Sequence, residues 1–168
     1  NNTRSVPVVG AEHAATRLLA FYPNYNNDAW VSHICVSLCE FMLGPSLAID
    51  LLVPASDPHA RRAFVRDAVP AWLRRPVYRV DKTERLSRMF ASPKFRRALA
   101  EADAVYLWAA VPLSFFDAVA GRGIPLVIER INCHRRTSIR ILDDAFARAG
   151  LPASHGNDVR TVAQEDDK

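Results

Sequence analysis

Glycine is scarce in this chain, six in 168 residues, and no Gly-x-Gly-x-x-Gly stands where a backbone would have to approach a dinucleotide pyrophosphate. That argues against a dinucleotide pyrophosphate site of the standard kind. No Gly-x-Ser-x-Gly nucleophile elbow is present either, which argues against a complete small hydrolase. Cysteine is equally sparse: Cys35, Cys39 and Cys133 are odd in number and make no disulfide framework. The first two fall four apart inside an apolar run, which sets them on one helix face as reduced, buried packing groups. Together with His33 they still fall short of the four ligands zinc wants, so no metal is expected. Long hydrophobic runs are lacking too. The longest, residues 30–43, is interrupted by Ser32, His33, Ser37 and Glu40 and is too short to span a bilayer. No signal peptide is visible, so the expected location is cytoplasmic, with peripheral contact at the inner membrane left open.

What is present fits one ordinary globular domain: 49% hydrophobic and 24% charged residues in a length too short for two complete Rossmann domains. The net charge of +4 is carried mostly by arginine, in the pairs Arg61-Arg62, Arg74-Arg75, Arg96-Arg97 and Arg135-Arg136. Pairs scattered in this way read first as solvated helix faces. Anionic partners come next: a nucleotide sugar, a phospholipid head group and, last, nucleic acid, for which no finger spacing or ribonucleoprotein motif is found.

Short apolar runs alternate with helical patterns along the chain. Residues 17–22, 48–53, 77–80, 104–110 and 126–129 read as strands, most of them apolar on both faces and several closed by proline. The first loop offers Asn27 or Asp28 as a helix cap, with Gly44 as the left-handed residue that ends the helix. After the second strand, Ser56-Asp57-Pro58 opens a helix with Phe64 and Ala68 on one face. Residues 81–102 read as two helices at an angle, broken at Ser92-Pro93. Pro112 opens a further helix, closed by Gly121-Arg122-Gly123, and a last one runs from 137 to 150 with Ile139, Leu142 and Phe146 on one face. The expected fold class is α/β, a three-layer Rossmann-like domain with a mainly parallel sheet over residues 16–152. A loose leader, 1–15, precedes it, and a polar tail, 153–168, follows and reads as cut before the next element.

Ligands of an open parallel sheet bind beyond the carboxyl ends of its strands. Two loops qualify there. Residues 22–30 gather Tyr22, Asn24, Tyr25, Asn26 and Asn27, amides and phenols that suit the mixed hydroxyl and C–H surface of a sugar. Residues 129–137 gather Glu129, Arg130, Asn132 and His134 within six positions, supplying a charge pair, an amide and a titratable imidazole to one cleft. Asp143-Asp144, two turns into the next helix, reads as solvated surface or a partner for Arg140 or Arg148.

On residues 102–108, Ala-Asp-Ala-Val-Tyr-Leu-Trp, on 125–134, Pro-Leu-Val-Ile-Glu-Arg-Ile-Asn-Cys-His, and on the Asp-Asp-Ala-Phe-Ala-Arg-Ala-Gly ending of the last helix, the chain resembles the N-terminal domain of glycosyltransferase family 4. Those are retaining enzymes built from two facing Rossmann-like domains, the GT-B fold. The resemblance implies a hexosyltransferase acting on a glycan, lipid or small-molecule acceptor with a nucleotide sugar as donor substrate, and no cofactor. It implies His134 at the donor's sugar as the catalytic group, Arg130 and Asn132 shaping its loop, and residues 22–28 cradling the acceptor or lying against the donor phosphates. A C-terminal donor-binding domain of the same parent chain is the implied partner, without which this half is catalytically silent. The chain departs from the family in its first loop, where Asn and Tyr stand in place of a glycine pair. The alternative is a non-catalytic Rossmann-like or flavodoxin-like module that binds a nucleotide or a protein.

Overall fold

A strand that alternates its side chains between two covered faces has no polar side, and residues 18–21, Leu-Leu-Ala-Phe, are buried without a break. They belong to β1, Thr16–Phe21, the middle strand of a five-stranded sheet in a computed structural model that describes residues 14–81, 85–108, 111–130, 135–152 and 162. The other strands are β2 (Leu47–Val53), β3 (Val65–Asp67), β4 (Ala104–Trp108) and β5 (Leu126–Glu129). Their order is β3-β2-β1-β4-β5 and every pairing is parallel, so the α/β Rossmann-like architecture read from the sequence stands. The chain steps outward from β1 through β2 to β3 and then returns to the far side of β1. That reversal makes the β1/β4 border the switch point of the sheet.

One face packs on α1 (Trp30–Met42), where Cys35, Val36 and Cys39 meet Leu18, Ala20, Leu51 and Val53. The opposite face packs on α3 (Arg85–Leu99) and α4 (Leu113–Ala120), with Phe95, Leu99, Phe115 and Val119 against Leu19, Phe21, Val105 and Leu107. Cys35 and Cys39 are free and buried, as expected; the adjacent Cys39 and burial together hold the Cys35 thiol protonated. Cover thins at the β5 edge: Val127 is 54% exposed, and α5 (Arg135–Arg148) leaves Ile141 and Leu142 largely in solvent. Among the described residues no helix is long and apolar enough to cross a membrane.

Several local expectations are corrected. Residues 77–80 are not a strand but the end of α2 (Arg74–Val80). Val77 is buried while Val80 is exposed, and Pro76 sits in the first turn, where its missing N–H costs nothing. The third strand lies instead at 65–67, inside the stretch read as a helix, of which only a 3-10 turn, Pro58–Ala60, exists. It escaped notice because it is three residues long and charged: as an edge strand it needs little apolar surface, and its charges guard the open edge. Nor is there a break at Pro93. It lies inside α3, where Ala91, Phe95 and Leu99 carry one buried seam past it at intervals of four. That packing outweighs a local cost of about 3 kcal/mol for interior proline. Ala29, rather than Asn27 or Asp28, is the residue before α1, and Gly44 is not left-handed; α1 ends through an extended Leu43 (φ −59°, ψ 133°). Gly123 does close α4 region with positive φ, 65°.

The ring of Phe95 lies 4.6 Å from that of Phe115 and 5.7 Å from that of Phe21, at the centre of the larger core. Phe95→Ala is expected to lower unfolding free energy by about 3–5 kcal/mol, read as the shift in urea midpoint at unchanged slope.

Candidate functional site

Because all five strands run the same way, the loops after β1, β2 and β3 emerge at one edge, and the first two are zipped together there. The Asn26 N–H donates to the Ala55 carbonyl (2.9 Å) and the Asp57 N–H to the Asn26 carbonyl (2.8 Å), which carries the parallel ladder one step past the strands. Asn26 itself is fully buried. Its amide donates to the Ala60 carbonyl (3.2 Å) and its side-chain oxygen accepts from the Asp28 N–H (3.2 Å). It therefore shapes the loop and does not reach a ligand. Asn27 braces the turn before α1, accepting from the Ala29 N–H (3.2 Å) and the Ser32 hydroxyl (2.9 Å).

The third loop is joined by Arg74. Its guanidinium donates to the Ser56 carbonyl (2.7 Å) and forms a short ion pair with Asp67 at the end of β3. With its side chain only 14% exposed, Arg74 is the member of an arginine pair that does not face solvent. Opposite it, the Tyr25 hydroxyl donates to Asp57 at 2.6 Å. Burial, and then the neighbouring Asp57 carboxylate, push that phenol up to about 12.

These groups frame a cleft of about 710 Å³ at the carboxyl edge, with Tyr25 and Asp57 on one wall and Trp72, Arg74 and Arg75 on the other. Trp72, 77% exposed, adds an indole to the cleft's lining. The combination of a flat aromatic face, a carboxylate and guanidinium groups matches a ligand with a ring, hydroxyls and a negative charge.

The sequence-predicted residues divide around this cleft. Tyr25 lines it, and Asn24 is partly exposed beside Tyr25 in the chain. Tyr22 is buried, its ring edge-on to Trp108 (5.6 Å). Trp108 in turn meets Tyr106 (6.3 Å), whose hydroxyl donates to Glu129 at 2.6 Å. The tips of β1 and β5 are thus on one edge and linked through β4, but by rings packed in the core. Arg130 is exposed just beyond β5; Asn132 and His134 lie outside the described residues. Sequence reasoning missed Asp57, Trp72, Arg74 and Arg75. The signal for them is Trp72-Leu73-Arg74-Arg75 directly after an edge strand, and it shows only once that strand is known to lie at 65–67 and not at 77–80.

A second polar chain runs along the outer side of α1: Asp28 to His33 Nδ1 at 3.0 Å, and His33 Nε2 to Ser37 Oγ at 3.5 Å. The connectivity is that of a hydrolase relay. It lies on an open helix surface, His33 being 61% exposed, and a mid-helix backbone has no spare N–H for an oxyanion. His33 and Arg62 instead hold the Asp28 carboxyl below its usual range and fix the left-handed turn at Asp28 (φ 55°). Among the described residues no group of three metal-ligating side chains occurs. Comparison with protein-family models, with curated proteins and with solved structures returns no match.

Tyr25 gives a pH signature. An acid whose folded pKa (about 12) exceeds its ordinary 10.0 favours the folded state fully below about pH 10, and that contribution is lost as pH rises through about 12. Absorbance titration is expected to show Tyr25 and Tyr106 ionising late, with Asp57→Asn moving only Tyr25, part of the way back toward the ordinary range because burial remains. An unchanged late titration in that variant removes the Tyr25–Asp57 bond as its cause.

Proposed function

We propose that this chain is the acceptor-side, Rossmann-like domain of a retaining glycosyltransferase, and that the cleft between Tyr25 and Trp72 holds the saccharide acceptor. The observation that carries the reading is the cleft's position and make-up: it lies beyond the carboxyl ends of a parallel sheet, with an exposed indole and a hydrogen-bonded phenol–carboxylate pair facing it. Indole faces take the C–H side of a pyranose, and Asp57, tied by Tyr25, presents a fixed acceptor to its hydroxyls. In this reading a nucleotide sugar is the second substrate, bound chiefly by a donor-binding domain of the same parent. His134, on the segment after β5, then faces the transferred sugar and stabilises the oxocarbenium-like transition state, with Arg130 and Asn132 shaping its loop. The protein acts in the cytoplasm, with peripheral membrane contact through its basic surface.

A non-catalytic module is the second reading, and one observation favours it: the outer face of α1 presents Trp30 and Phe41 at 90% and 89% exposure, with Ile34 between them. Such a stripe suits a protein partner better than a sugar.

Saturation-transfer NMR with neutral hexoses and short oligosaccharides separates the two. Signals on sugar C–H protons that disappear in Trp72→Ala are expected; a folded protein that gives none with any saccharide overturns the acceptor assignment. In the protein that joins this domain to its donor half, His134→Ala is expected to lower kcat by about a hundredfold with KM little changed. Turnover within a few-fold of wild type, with the fold intact, rejects the role given to His134.

A further inference from the structure

The cleft does not stop at Arg75. A second concavity of about 680 Å³ adjoins it along α2, lined by Arg75, Pro76, Arg79 and Val80, so that Arg75 is common to both. We propose that the joined groove takes a phosphorylated saccharide, its ring on Trp72 and its phosphate on Arg75 and Arg79; this rests on the saccharide reading above.

Arg75 and Arg79 stand one helical turn apart on the same side of α2, both exposed. Neither has an ion-pair or hydrogen-bond partner among the described residues. Five other arginines, Arg17, Arg61, Arg62, Arg66 and Arg74, each reach a carboxylate; Arg96 and Arg97 reach none among the described residues, but they line no second concavity beside the cleft. Two like charges at this spacing repel, and a shared anion lining the groove relieves that repulsion. A phosphate suits the pair better than a carboxylate does. One guanidinium fork satisfies both oxygens of a carboxylate, whereas the three terminal oxygens of a phosphate monoester serve two forks at once. Asp57 sets the polarity of the ligand. Its carboxylate at the other end repels a phosphate and accepts from hydroxyls, so the anion lies toward α2 and the sugar's hydroxyls toward Tyr25 and Asp57.

A phosphate on a soluble sugar and one on a lipid present the same chemistry, and the test has an arm for each. ¹⁵N-labelled protein is titrated with glucose 6-phosphate, glucose 1-phosphate, glucose and inorganic phosphate, and incubated with phosphatidylcholine vesicles with and without phosphatidic acid. The hexose phosphates are expected to shift the Trp72 indole resonance, and Arg75→Gln/Arg79→Gln to weaken them about tenfold or more while leaving glucose unaffected. Both substitutions lie on an exposed helix face, and an unchanged thermal melt shows that the variant is folded. Glucose binding as well as its phosphates, in wild type and variant alike, overturns the phosphate assignment and leaves the acceptor reading standing. No binding of any sugar overturns both. Arginine-dependent binding to phosphatidic acid vesicles without hexose phosphate binding overturns the saccharide half and assigns the guanidinium pair to a lipid phosphate.

Discussion

The carboxyl edge of this sheet owes its shape to one buried guanidinium. Arg74 leaves the start of α2, passes under the chain after β2 to bond the Ser56 carbonyl, and ends on Asp67 at the tip of β3. Without it, the Asp67 carboxylate would keep only the longer contact to Arg61 at 3.8 Å, and α2 would lose its polar tie to the sheet, keeping the buried Val77. A half-buried charge pair contributes little net stability, because desolvation offsets attraction, yet removing one member leaves the other stranded at a cost of about 3–5 kcal/mol. Arg74 therefore acts less as glue than as a constraint on geometry: with it in place, Trp72 and Arg75 can stand only on the wall of the cleft.

The same dipeptide thus holds two residues with opposite fates. Arg74 turns inward and is neutralised by Asp67; Arg75, one position on, turns outward and meets no carboxylate among the described residues. Helix geometry forces the division, since adjacent residues on α2 project about 100° apart. Of the other pairs, Arg96 and Arg97 lie exposed on α3 as solvated helix residues, whereas Arg61 and Arg62 lie outside any helix and are spent on Asp67, Asp28 and Glu40.

How much of this was legible in advance follows from where each signal resides. The buried strands β1, β2 and β4 announce themselves as apolar runs, because the inner strands of a parallel sheet are dry on both faces; β5 reads the same way from its Leu-Val-Ile run although it is a partly open edge. β3 does not, since Val65-Arg66-Asp67 is an edge with little to bury. The continuity of α3 through Pro93 is invisible locally, because it depends on Phe21 and Phe115, both distant in sequence, closing over Phe95. Tyr25, singled out for its phenol, lines the cleft. Asn26 was chosen for its amide and proved to be fully buried, a matter of its pairing with Ser56, thirty residues away. Asp57 and Trp72 join the cleft only through the third strand's true position. Short-range pattern found the framework; the site depended on contacts that no window of sequence contains.

The two walls of the cleft are not equally stiff. On the Tyr25 side the backbone is stitched on both flanks of Asn26 to the chain after β2, a continuation of the sheet that moves only if the sheet moves. The Trp72 side hangs on a seven-residue helix tethered to the sheet edge by the Arg74 side chain and the buried Val77. A guest of awkward size therefore meets an anvil and a jaw: accommodation falls to α2, pivoting about Arg74, while Tyr25 and Asp57 keep their register.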